Sequence, residues 1–415
     1  MDYDKLLDAV SRTGCRMLAA GAEIYRVEDT VRRLLAAYGV EGEAFAIPNC
    51  LIISLVDPTG GSHTRMCRPE ALPSTDIETI ERYNAMSRAV CAAPPEPERL
   101  PALVEETAGK IRRYPLWAIF GGYFVGALFF ALLGGGGWAE GLAAGIAGLL
   151  AGVCVAALDR RRANFFFKTV AAAFVMGAAI YLLRAAGLPI NVDVAASGSL
   201  MVLVPGLVFT NFMCDLITGD PLSGTSTFIR AVLTATAIAV GTGLALSLMR
   251  AAGLPVEGVG QARSYGAAVQ CLLAFLGCAG FCLIYNIHDF GAVLCCLGGA
   301  LGWAVRLAVG LWTDSLYVSY LAAAVAIAVY AEIMARVRKF PITGYLVVSF
   351  FPLVPGVYIY NTMNYGIQGK SALFLESGVR TIALAACLAM GTLLVSTTVR
   401  TFSATHRERR QKRGA

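Results

Sequence analysis

Two apolar stretches carry the same residues, at the same spacing, that a small polar solute would need. LVPGLVFTNFMCDLITG occupies positions 203–219 and LVPGVYIYNTMNYGIQG positions 353–369. Each places a Pro-Gly pair, Pro205-Gly206 and Pro355-Gly356, inside a segment apolar enough for a membrane helix. Each then places an Asn six residues after the Pro, Asn211 and Asn361. A proline inside a helix removes one backbone hydrogen bond and clashes with the preceding turn. In hydrocarbon the freed carbonyls are costly unless protein or a water-lined cavity satisfies them. Two such breaks in register therefore predict unwound backbone around a shared polar site. A kink used only for packing is the alternative.

The nearby charges sharpen the choice of chemistry. Asp215 lies four residues after Asn211, on the same helical face. Arg230 sits near the end of one apolar segment and Arg380 deeper in another, and charges at such depth usually face a cavity or a partner. Glu376, four residues before Arg380, is placed for an i,i+4 pair. Ser226 stands at the matching place before Arg230, which leaves Asp215 or Asp220 as its partner. Asp215, Asp220 and Glu376 are thus the candidate coupling residues, with ion pairs that merely lock helices as the alternative. An amino-acid zwitterion needs a carboxylate for its ammonium and a donor for its own carboxylate. Asp215 with Asn211, Asn361 and unwound backbone would supply both. A dicarboxylate needs two cations, and Arg230 and Arg380 would serve. The residues permit either.

Other candidates are weaker. GAEIYRVEDT (21–30) gathers Glu23, Arg26, Glu28 and Asp29 behind Gly21. It could bind a ligand, although acidic residues in a first helical turn also match the helix dipole. His63 falls in an expected turn, His406 in the tail, and His288 beside Asp289 at an expected membrane edge. A membrane-bound hydrolase built on residues 21–30 and His63 would need a nucleophile–base pair, and none stands at suitable spacing. Residues 134–137 (GGGG) lack the Lys-Ser/Thr of a phosphate loop. The cysteines, scattered and without a Cys/His cluster, suggest neither a disulfide framework nor a zinc site. No cofactor or metal is implied, so energy would come from an ion gradient.

The elements that position these residues follow from composition. The 415-residue chain is 57% hydrophobic and 15% charged, with mean hydropathy +0.64. Soluble proteins carry roughly 25% charged residues, so this chain reads as an α-helical polytopic membrane protein. Its net charge of +6 reflects membrane-flanking arginines and gives no sign of nucleic-acid binding. Residues 1–100 read as a small cytoplasmic α+β domain, since MDYDKLLDAVSR lacks a signal peptide's basic and apolar regions. Helices are expected near 6–18 and 27–38, and two or three short strands across 43–68. A helix capped by Thr75 and Glu78 is expected to run to about Cys91. Residues 101–114 form an amphipathic linker helix. At ~20 residues per crossing, ten spans fit near 116–134, 138–158, 164–184, 194–217, 224–249, 265–286, 290–311, 315–336, 342–366 and 372–399. Basic clusters at 110–113, 159–162, 336–339 and 407–413 then share one side, the cytoplasmic one by the positive-inside rule.

Sliding the chain by 150 positions superimposes the two Pro-Gly breaks, Asn211 on Asn361, Met213 on Met363, Gly219 on Gly369 and Arg230 on Arg380. Residues 115–250 and 265–400 are therefore two five-span repeats, joined by a loop at 251–264 and followed by a basic tail at 401–415. Five is odd, so the second copy enters the membrane from the opposite side. This inverted repeat is the architecture of many secondary transporters.

GAEIYRVEDT, the linker before the first span, Pro205-Gly206 with Asn211 and Asp215, DPLSG with Arg230, and the second VPG together resemble the threonine/serine exporter family. The resemblance covers nearly the whole chain, in the same order. It carries over to Gly21, Glu23, Arg26, Glu28 and Asp29, and to Pro205, Gly206, Asn211, Asp215, Gly219, Asp220, Gly224 and Arg230. The second copy keeps Pro355, Gly356 and Asn361 but has Tyr365 where the first has Asp215. The resemblance implies a non-enzymatic exporter of small hydroxy amino acids, driven by the proton motive force, in the bacterial cytoplasmic membrane with both termini inside. A two-component form of the family, linked with succinate export, leaves C4 dicarboxylates as the second substrate class. The implied partners are a small solute, protons and lipid, with a homo-oligomer compatible.

Overall fold

The structure is a computed structural model. It describes residues 2–69, 75–203, 221–256, 263–338, 340 and 342–414, without the side chains of 221, 400 and 402–414. The chain divides into two compact units. One comprises Met1–Tyr114 with Tyr285–His288, and the other Pro115–Ile284 with Asp289–Ala415.

In the first unit, α1 (Tyr3–Ala19) starts at Asp2, whose carboxylate accepts the Lys5 N–H. It buries Leu6, Leu7, Val10, Met17 and Leu18. Gly21 follows at φ +81°, a left-handed position that favours glycine. The Ala22 N–H reaches back to Met17 O, closing the helix end. In α2 (Ile24–Ala37), Val27, Val31, Leu34 and Leu35 form the buried stripe. The strands β1 (Gly42–Ile47), β2 (Cys50–Val56) and β3 (Ser62–Cys67) make an antiparallel sheet in the order β1-β2-β3. Leu51, Ile53 and Leu55 of β2 point inward, while Ile52 and Val56 are exposed. The helices α3 (Ile77–Ala92) and α4 (Leu100–Gly109) complete the unit.

Four sequence expectations change in this unit. Asp76, not Thr75, caps α3, accepting the Thr79 N–H and hydroxyl. Glu78, released from capping, is buried and pairs with Arg82 and Arg112. The linker helix ends at Gly109, short of the basic run. His63 lies on β3 rather than in a turn. Among the described cysteines, Cys15 and Cys67 form a disulfide, because α1 packs on β3 and brings together residues 52 apart in sequence.

The second unit is helical. Its first half contains α5 (Leu116–Leu133), α6 (Trp138–Arg160), α7 (Phe165–Ala185), α8 (Val192–Leu200) and α9 (Pro221–Ala251). Its second half contains α10 (Ala267–Ile284), α11 (Asp289–Gly310), α12 (Leu316–Arg338), α13 (Ile342–Phe350), α14 (Gly356–Ile367) and α15 (Ser371–Gly414). Among the described residues, eight helices are long and apolar enough to cross a membrane, and α13 with α14 makes a ninth, bent span. The span expected at 194–217 falls only partly on described residues.

The halves repeat their packing. Helix α5 packs on α6, α6 on α7 and α7 on α9, as α10 packs on α11, α11 on α12 and α12 on α15. The first helices of the two halves, α5 and α10, also pack on each other. Their approach rests on glycine. A Cβ built on Gly280 would lie 2.6 Å from Gly122 O and 2.8 Å from Gly126 Cα, which are backbone atoms that cannot turn aside. Small residues drive close helix association in lipid, where burial between helices gains nothing over lipid tails.

Candidate functional site

The second Pro-Gly pair breaks its span. Pro355 has no N–H to give, and the chain bends by 56° between Ile342–Leu353 and Gly356–Ile367. The Gly356 N–H would reach Pro352 O in an intact helix. It turns instead to Val354 O at 2.7 Å, and Val354 N–H is shared between Phe350 O and Phe351 O. A fresh helix, α14, then begins at Gly356, with the N–H groups of its first turn lacking intrahelical partners.

A cavity of about 240 Å3 lies at this break. Pro355, Gly356, Val357 and Tyr358 line it from the second half, together with Trp303 and Tyr320. Ser197, Gly198 and Met201 of α8 and the turn after it line it from the first half. Drug-sized ligands occupy pockets of ~300–1,000 Å3, so this one suits a smaller solute. Met201 stands four residues before Pro205 and lies directly against Gly356, where a Cβ would collide with its sulfur. The second break therefore meets the last described turn before the first. Pro205, Gly206, Asn211, Asp215, Gly219 and Asp220 lie outside the described residues.

The remaining expected site residues are placed as follows. Asn361 is half-buried on α14, one turn beyond Val357. Arg230 is half-buried on α9, its guanidinium 5.4 Å from the centre of the Phe165 ring. Arg380 is 48% and Glu376 55% exposed, and they pair with each other at 2.7 Å. Arg230 and Arg380 are not among the residues lining the cavity.

Sequence reasoning missed two polar features. Arg306 on α11 stands 3.9 Å over the ring of Trp303, a cavity-lining residue. Tyr360 on α14 donates to Asp193 on α8 at 3.0 Å, bridging the two halves beside a second space of about 30 Å3. That volume holds about one water. Arg306 was legible as an arginine inside an apolar run, three residues after a Trp. Asp193 and Tyr360 are 167 positions apart, and nothing local signals their meeting.

In the first unit the GAEIYRVEDT motif is held by internal pairing. Glu23 meets Arg26 at 2.7 Å. Burial opposes the Arg26 charge, but Glu23 and Tyr25 together outweigh it and hold the guanidinium above its ordinary value. Glu28 accepts the Ala46 N–H at 2.9 Å, tying α2 to β1, and also pairs with Arg32. Asp29 pairs with Arg33. Glu23 is the N-cap residue of α2, where its charge matches the helix dipole, whereas Glu28 and Asp29 lie beyond the first turn. His63 is clamped by Asp4 at Nδ1 (3.0 Å) and Asp57 at Nε2 (3.2 Å), and both raise its pKa above the ordinary 6.5. With both ring nitrogens engaged by carboxylates, it is poorly placed to deprotonate a nucleophile. His288 stacks on Tyr114 at 4.1 Å and meets Asn286, and Asp289 is exposed.

Two family models cover most of the chain. "Putative threonine/serine exporter" matches residues 8–249 and "Threonine/Serine exporter, ThrE" matches residues 270–398. The chain belongs to the threonine/serine exporter family. Among its relatives, the "Probable threonine/serine exporter" of Mycobacterium tuberculosis is 22% identical over 94% of this chain and 77% of the relative. The "Threonine/serine exporter" of Corynebacterium glutamicum is 21% identical over 94% of this chain and 81% of the relative. No solved structure matches. Family and apolar helices together make this a multi-pass membrane protein of the transporter class.

Proposed function

We propose that this chain exports threonine and serine across the bacterial cytoplasmic membrane, driven by proton entry. The observation that carries the reading is the match of both family models, in order, along nearly the whole chain. The cavity at the Pro355-Gly356 break supports it, being of a size for a small solute and lined from both halves. In this reading the halves are an inverted five-plus-five repeat with both termini in the cytoplasm. The two breaks build the substrate site, and Asn211 and Asn361 orient the solute. Asp215 binds the ammonium or carries the coupling proton, and Asp220 and Glu376 are its alternates in that role.

Dicarboxylate export would ask Arg230 and Arg380 to act as paired anion sites. The Glu376–Arg380 pair already occupies one of them, and the relatives are named for threonine and serine. A carrier also fits better than a hydrolase, given the clamped His63.

The test is flux of labelled threonine, serine and succinate in proteoliposomes holding the purified protein, with and without a pH gradient. Gradient-driven accumulation of the two amino acids, abolished in Asp215→Asn, is expected. Accumulation of succinate alone would overturn the reading. Downhill flux indifferent to the gradient would remove the proton coupling.

A further inference from the structure

Arg306 is an arginine in the apolar helix α11, about one turn from its C-terminal end, where a charge within a membrane span marks a functional-site hypothesis. Among the described residues no carboxylate pairs with it, and its Nε is buried without a hydrogen-bond partner. Its guanidinium rests 3.9 Å over the indole of Trp303. That contact stabilises the charge through the ring face but satisfies none of the five N–H donors.

The indole is itself held. Trp303 Nε1–H donates to Gln270 Oε1 at 3.1 Å, and Gln270 Nε2–H donates to Tyr265 O at 2.7 Å. Tyr320 and Tyr358 lie close enough to interact with the Arg306 charge. Trp303, Tyr320 and Tyr358 line the cavity at the broken span, and Arg306, not itself a lining residue, is held against the Trp303 ring. A planar fork of donors, fixed on an aromatic plate with two phenols nearby, matches the two oxygens of a planar carboxylate. The position has no counterpart in the first half, since the residue 150 positions earlier is Ala156, so the feature does not arise from the repeat.

We propose that Arg306, positioned by Trp303 and Gln270, binds a carboxylate beside the Trp303 wall of the cavity at the Pro355-Gly356 break, and that Tyr320 and Tyr358 complete the subsite. Its ligand is the α-carboxylate of a small amino acid. The proposal rests on the export reading for the identity of that amino acid, and its test separates the two.

The intrinsic fluorescence of the purified protein is titrated with L-threonine and with L-threonine amide, which keeps the ammonium and hydroxyl but lacks the carboxylate. Flux of labelled threonine is measured in parallel in proteoliposomes, with the same two compounds as competitors. In the wild type, threonine is expected to act at least tenfold more strongly than the amide, with a fluorescence change that Trp303→Phe removes. Arg306→Gln should weaken threonine about tenfold, leave the amide within twofold, and so erase the discrimination. Arg306→Lys, which keeps the charge but not the fork, should fall between them.

Should Arg306→Gln fail to fold, the comparison of Arg306→Lys with wild type carries the same reading. Retained discrimination in a folded Arg306 variant, or an equal loss for threonine and amide, would overturn the subsite and leave Arg306 a helix lock. Carboxylate-dependent binding without flux would keep the subsite and refute export. Flux with discrimination untouched by Arg306 would do the reverse. Neither binding nor flux would refute both.

Discussion

Gly356 is where the account can be pressed hardest with a single methyl group. A Cβ there collides with the Met201 sulfur and lies 3.3 Å from Met201 Cε and 3.5 Å from Cγ. Gly356→Ala therefore forces the thioether aside at a point where the two halves meet. Overpacking by one carbon costs about 1–3 kcal/mol, and here the strained atom is a flexible side chain, so about 1–2 kcal/mol is expected. Met201→Ala removes the colliding atoms. Met201 already borders the cavity, so its loss enlarges an existing space, and the cost should sit near the low end of the ~2–5 kcal/mol range for buried Met→Ala.

The double variant should then be more stable than the sum of the singles requires, by about 1–2 kcal/mol of coupling. Thermal unfolding of the detergent-solubilised protein measures the cycle, and threonine flux in proteoliposomes measures its functional consequence. The expected result is that Gly356→Ala slows flux and Met201→Ala partly restores it. Strict additivity in stability would refute the close approach of Gly356 to Met201, and with it the meeting of α14 with the turn after α8.

Further outcomes follow from the packing and the ion pairs. Gly280→Ala should destabilise the helical unit by about 1–3 kcal/mol, because the atoms in its way are backbone of Gly122 and Gly126. Gly266→Ala, with nothing within 4 Å, should be neutral in the same unfolding assay. Glu78→Gln leaves Arg82 and Arg112 without their shared carboxylate, and should cost about 1.5–3 kcal/mol by the same measurement. The raised pKa of His63 means its clamp is fully present below the ordinary 6.5 and is lost as pH rises through the raised value. Hydrogen exchange at β3, corrected for intrinsic rates, should accordingly show protection falling toward alkaline pH, and His63→Gln should flatten the profile. Arg380→Gln removes the i,i+4 partner of Glu376 within a candidate span, and since neither residue lines the cavity it should leave threonine flux within about twofold.

The membrane half was the more legible part because its signals are local. Apolar runs set off by glycines and arginines gave spans whose ends agree with α5, α6 and α7 to within two residues. The Pro355-Gly356 break was visible because proline's missing N–H acts on its own helix wherever the chain goes. Residues that matter through tertiary contact were not visible. Trp303 and Arg306 share a helix face, but only the fold reveals that the Trp borders a cavity and that, among the described residues, no acid pairs with Arg306. Cys15 and Cys67 join because α1 happens to lie on β3. The Asp193–Tyr360 bridge depends on α8 meeting α14, which neither segment encodes alone. In the motif at 21–30 the residue types were legible as charged, whereas their role in tying α2 to β1 through Glu28 was not.

The central claim is that threonine passes through the cavity at the Pro355-Gly356 break. Val357 lines that cavity and is 46% exposed, so a thiol placed there by Val357→Cys can be alkylated and the modification read by mass spectrometry at that position alone. The account predicts that L-threonine slows alkylation at 357 in a concentration-dependent way, while succinate leaves it unchanged. Alkylation at 357 that proceeds at the same rate with and without saturating threonine, in a variant that still moves threonine, would contradict it.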